Sequence, residues 1–168
     1  MDRCYLCDDE AYFYSGYLRQ NLCKKHFEKM LIRRIRGEVA SRGFSRRKYK
    51  LVPDGSIGYK LNSFMFKPSK DADTAMDNLL LDDFALAVLK HFVTKEKIDI
   101  KINGENYFNP LYLISKEEAI AFLRLKKMDY AENKGGDADL VAILDRLEAK
   151  RPGAKISMVK SGIRAGLI

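Results

Sequence analysis

Apolar residues return at helical spacing from Lys24 to about Arg42, where Phe27, Met30, Leu31, Ile35 and Val39 form one stripe and Gly43 supplies a stop. "KLVPDGSIGYKLNSFMF" (50–66) reads as a short strand, a turn at Pro53-Asp54-Gly55 and a second strand-like run. "KPSKDAD" is a polar linker. "DTAMDNLLLDDFALAVLKHFV" (73–93) predicts one long helix with Leu80, Phe84, Val88 and His91 or Phe92 on one side. "KIDIKI" (97–102) alternates and predicts a strand, and "NGENYFNP" a loop. Ser115 with Glu118 three residues on is a capping box, which predicts a helix over Lys116 to Lys127. "ENKGGD" is a loop, a helix follows over Ala138 to Ala149 and stops at "RPG", and the last residues carry one more short helix.

The 168 residues suffice for one ordinary domain, or a small one with an appendage, and 46% hydrophobic content can build a core. No apolar run reaches the roughly 18 residues of a membrane helix. The opening "MDRCYLCDDE" lacks a signal-peptide core, so a soluble, cytoplasmic protein without membrane contact is expected. The net charge of +8 is uneven. Residues 1–50 carry 13 Lys and Arg against six Asp and Glu, whereas the remaining 118 residues are nearly balanced. A local basic field of this kind draws polyanions.

All three cysteines lie between residues 4 and 23, in the spacing C-x2-C, fifteen residues, C-x2-H. An odd, tightly clustered set argues against a disulfide framework. A two-residue gap lets a turn offer both ligands to one ion. A fifteen-residue insert can form a hairpin that returns the second pair to the same point. Cys4, Cys7, Cys23 and His26 would close a tetrahedral zinc shell with no open position, which makes the metal structural. The competing readings are ordinary thiols with a surface histidine, or a redox CxxC, for which the surrounding βαβ pattern is missing. His91 sits on an apolar helix and reads as a packing residue.

Arg33, Arg34, Arg36, Arg42, Arg46, Arg47, Lys48 and Lys50 offer several phosphate contacts, against the plainer reading of a solvated helix face. Tyr12, Phe13, Tyr14 and Tyr17 could stack on bases or cover the small metal module. Asp77, Asp82 and Asp83 read as a solvated, acidic helix start rather than an acid–base or magnesium site.

The metal module followed directly by a basic helix resembles the start of the TtuA-type tRNA 2-thiouridine synthetases of the PP-loop ATPase superfamily, and Cys4, Cys7, Cys23 and His26 match that family's first zinc site one for one. "YKLVPDGSIGY" is similar to the family's entry into the first strand of its ATPase fold. "NLLLDDFALAVL", "NPLYLISKEEAIAFLRLKKMDY" and "ILDRLEAKRPGAKISMVKS" resemble later segments in the same order. The resemblance implies an α/β fold: a zinc module over 1–28, a basic helix and connector over 29–50, and a reduced PP-loop, Rossmann-like body over 51–168. The departures are the missing SGGKDS loop, where Gly55, Ser56 and Gly58 stand instead, and the absence of any cysteine beyond Cys23. They imply a shortened, non-catalytic relative that binds Zn2+ but neither ATP nor an iron–sulfur cluster. Its expected partners are tRNA or another RNA, a full-length thiolation enzyme or sulfur carrier, and a second copy paired through an exposed sheet edge. The alternatives are a residual sulfurtransferase or adenylating enzyme that needs a partner, and a zinc finger that docks proteins.

Overall fold

The structure, a computed structural model, describes residues 2–131 and 137–168. A hairpin of β1 (Phe13–Ser15) and β2 (Gln20–Leu22) leads into α1 (Lys24–Ser41). Then come β3 (Tyr49–Leu51), α2 (Ile57–Met65), β4 (Thr74–Met76), α3 (Leu81–Thr94) and β5 (Tyr107–Phe108). α4 (Lys116–Leu125), α5 (Ala138–Lys150) and α6 (Ala154–Arg164) complete the chain. β3, β4 and β5 form a parallel sheet in sequence order, with Tyr49 opposite Thr74 and Met76 opposite Phe108.

The α1 stripe is realised: Phe27, Leu31, Ile35 and Val39 are buried, each four residues from the next. Gly43, at φ +77°, ends the helix. The Phe44 N–H donates to Val39 O and the Gly43 N–H to Ala40 O, which closes the last turn. The upper half of α1 packs with Leu22, Ile57, Leu61, Leu111, Ile114 and Phe122, and the lower end with Phe44, Met76, Phe84, Phe108 and Val159. One helix therefore ties the N-terminal hairpin to both halves of the core. Each such fully buried side chain contributes about 1.5–3 kcal/mol.

Helices α1, α4, α5 and α6 stand where the apolar spacing puts them. The Ser115–Glu118 capping box is present: the Glu118 N–H donates to Ser115 Oγ, and the Ser115 N–H to Glu118 Oε2. Three expectations are corrected. Residues 57–65 are helix, not strand, with Ser56 as the N-cap accepting the Tyr59 N–H at 3.0 Å. The long helix expected from Asp73 begins only at Leu81, because Thr74–Met76 are drawn into the sheet by β3 and β5 on either side. "KIDIKI" buries Ile98 and Ile102 but pairs with no strand, and the ladder falls to Tyr107–Phe108 in the expected loop. Of the loop expected over 132–137, only Asp137 lies within the described residues.

Candidate metal centre and nucleic-acid interface

Two elements deliver the four ligands. Cys4 and Cys7 sit on a knuckle held by backbone bonds, the Cys4 N–H to Asp9 O at 2.9 Å and the Tyr5 N–H to Asn21 O at 2.8 Å. The hairpin uses the fifteen-residue insert to return Cys23 to the same point. Cys23 is also the N-cap of α1, and His26 lies in its first turn. His26 Nδ1 stands 3.4 Å from the sulfur of each cysteine, and the Cys7 and Cys23 sulfurs are 3.7 Å apart. All four ligand atoms lie within 4.8 Å of one another, so these residues could bind a metal ion. A tetrahedron with zinc–sulfur bonds of about 2.3 Å and a zinc–nitrogen bond of about 2.0 Å has edges of about 3.8 and 3.5 Å. The donor set fits a single tetrahedral ion.

Burial would raise the Cys4 thiol. Hydrogen bonds from the backbone of Cys23 and Leu6, and from His26 and Cys7, outweigh it and lower the thiol to about 6. At Cys7 the backbone of Asp9 favours the thiolate, but burial and the neighbouring Cys23, Cys4 and Asp9 side chains push it up to about 12. Of the two, Cys4 is the readier thiolate and Cys7 the more reluctant. A metal ion binds thiolates, so its affinity for the cluster would rise with pH.

The basic residues divide into two sets. Arg33, Arg36, Arg46, Arg47, Lys48 and Lys50 are exposed. The structure places Arg34 inside: it forms a buried ion pair with Glu118, donates to Leu113 O at 2.9 Å and lies over the Tyr17 ring. Arg42 is bound to Asn103 Oδ1 and Tyr112 Oη. Arg47 covers the Phe44 ring and donates to Glu105 O. Of the aromatics, Tyr12 and Phe13 pack on Phe27, and the Tyr12 hydroxyl donates to Ala121 O, whereas Tyr14 and Tyr17 are exposed. His91 is half-buried on α3, with Nδ1 2.7 Å from Glu96 O.

The acidic helix start is not simply solvated. Asp83 accepts the Leu80 N–H and caps α3, while Asp82 accepts the Lys116 N–H and pairs with Lys155 Nζ at 2.6 Å. With Asp54, Asp77, Glu117 and Asp145 they line a cavity of about 350 Å³ at the carboxyl ends of β3 and β4, where Lys116 and Lys155 are the only cations among the described residues. The loop from β3 to α2 forms one wall, and a Cβ on Gly58 would come within 1.8 Å of Asn78 O. Asp54 Oδ1 accepts the Ser56 N–H and Oδ2 accepts from the Asn78 amide. Partial burial would raise Asp54, yet the hydrogen bonds from Ser56 and Asn78 outweigh it and hold the carboxyl below the usual range. A carboxylate therefore occupies the loop.

By sequence, the chain matches no described protein family and no curated protein. The fold is more informative, because it does find a likeness among solved structures. The chain is similar to the U34-tRNA thiolase NcsA from Methanococcus maripaludis, solved with its [4Fe-4S] cluster, at a TM-score of 0.78 and 15% identity. The alignment covers 98% of this chain and 87% of that one, and gives no support to the shortening expected from the sequence. Among the described residues no helix is long and apolar enough to cross a membrane.

Proposed function

We propose that this protein is a zinc-containing tRNA-binding protein, related to the tRNA thiolation enzymes and without catalysis of its own. The observation that carries the reading is the Cys3His tetrahedron at the foot of a basic helix, set on a thiolase-like fold. Zinc suits the site better than an iron–sulfur cluster, because the ligand edges are those of one ion. A four-iron cluster would hold each ligand on a different iron and spread them wider. This chain also has no further cysteine to ligate a cluster elsewhere. A closed zinc shell supplies no reactive position. It fixes the start of α1 and so the direction of its cations. U34 of a tRNA, the site named for NcsA, is the natural first target to test.

The strand–loop–helix of β3 and α2 favours a second reading, a residual enzyme, since a helix N-terminus at a sheet's carboxyl edge can take a phosphate. The Asp54 carboxylate and the acidic cavity weigh against it, because both repel a polyphosphate. Purification of the metal-loaded protein from its native cell, with sequencing of the bound RNA, tests the first reading and is expected to return tRNA. Pyrophosphate release or tRNA thiolation by the purified chain would contradict the non-catalytic assignment.

A further inference from the structure

A groove of about 690 Å³ runs between the hairpin tip and α1, beside the metal ligand His26. Its walls are Leu6, Tyr17, Leu18 and Met30, and Lys29 and Arg33 stand exposed on its rim. Leu6, Tyr17 and Leu18 are exposed at 57%, 43% and 37%; Arg34 covers one face of the Tyr17 ring, while Leu6 and Leu18 leave apolar surface to water. Gly37 opens the groove floor. It lies inside α1 with ordinary helical backbone, and a Cβ there would meet nothing within 4 Å. Glycine weakens a helix interior relative to alanine. Neither conformation nor internal packing asks for it at this position, whereas a ligand that approaches the helix backbone would.

We infer that this groove receives an unstacked nucleobase of the bound RNA, a step that rests on the RNA-binding reading above. The apolar walls give a base a dry surface, and Lys29 and Arg33 are placed for its flanking phosphates. The one acid at the groove, Glu38, is bound by the Tyr112 hydroxyl at 2.5 Å and by Arg42, so its charge is compensated. A paired helix keeps its bases stacked and cannot fill an apolar concavity. An acidic peptide could, but the exposed cations do not stop at the groove: Arg36 follows on α1, and Arg46, Arg47, Lys48 and Lys50 stand on the connector after it. Cations that continue beyond the groove match a phosphate chain better than a short peptide.

The test is fluorescence anisotropy with the full metal-loaded chain at one salt concentration. The probes are a labelled single-stranded RNA of roughly 12 nucleotides, the same sequence as a duplex, and an acidic peptide of similar length. The single strand is expected to bind about tenfold more tightly than the duplex. Leu18→Ala and Gly37→Leu should each remove most of that advantage. Gly37→Leu should keep or raise the melting temperature, which separates a blocked groove from a damaged fold. Equal binding of single strand and duplex, or unaltered single-strand binding by Gly37→Leu, overturns the groove inference and leaves RNA binding standing. Preference for the peptide overturns it in favour of a protein partner. Failure to bind either RNA overturns both readings.

Discussion

Cys23 serves two elements at once, as one of four residues that could bind a metal ion and as the residue on which α1 begins, with its carbonyl accepting the Phe27 N–H at 2.9 Å. Cys23→Ser should therefore lose stoichiometric metal by elemental analysis; unchanged metal content would show the ligand set to be wrong. Arg34 is the other residue on which the N-terminal region depends. Arg34→Met leaves Glu118 charged and buried without its partner, which should cost about 3–5 kcal/mol by denaturant titration. Arg34→Met with Glu118→Met should recover much of that loss. Two buried groups set the alkaline limit. Burial disfavours the charged form of Lys155, but Asp82 and Asp145 outweigh it and raise the group to about 12. Burial and the Glu38 carboxylate raise Tyr112 to about 12. Both hold their protons more tightly when folded, so their contribution is complete below about pH 10 and is lost as the pH rises through 12. The melting temperature should fall across that interval, and less so in Tyr112→Phe. The gathering of Cys4, Cys7, Cys23 and His26 at one point is legible from spacing alone. Arg34 was misplaced on the outer face, although it stands seven residues from Phe27 and three from Leu31, on the border of the buried stripe.

At the scale of elements, the RNA interface we propose is α1 and its basic continuation. Charge reversal at Arg46 and Lys48, which are exposed and outside the core, should weaken tRNA binding severalfold and reduce its salt slope by about one per lost phosphate contact, with little change in melting temperature. A proportional loss of stability would mean that these residues serve the fold instead. Four helices could be read from the sequence because their apolar residues repeat locally or carry their own caps. α2 could not: Gly58 and Asn62 lie on its buried side, the first to admit Asn78 and the second to donate to Asp77 O, so its apolar pattern is broken where it matters. β4 was hidden for another reason. It is three residues long, and its partners are Tyr49–Leu51 and Tyr107–Phe108, which no local window contains. The alternation in "KIDIKI" does mark burial of Ile98 and Ile102, but burial alone does not make a ladder.

Across the whole molecule, Cys4 and Cys23 belong to the same apolar cluster as Leu31, Leu111 and Phe122. Chelation should thus lower the temperature of one shared transition, seen alike by far-ultraviolet circular dichroism and by tyrosine fluorescence, rather than melt the first forty residues alone. Two separate transitions would show an autonomous module. The likeness to NcsA, at a TM-score of 0.78 and 15% identity, shows how little shared sequence this fold needs. The account then turns on whether the basic face meets RNA. The most direct measurement is the affinity of the metal-loaded protein for tRNA as salt is raised. Six exposed cations, Lys29, Arg33, Arg36, Arg46, Lys48 and Lys50, predict a log–log slope of about −5. A slope near zero, or no binding at low salt, would contradict it.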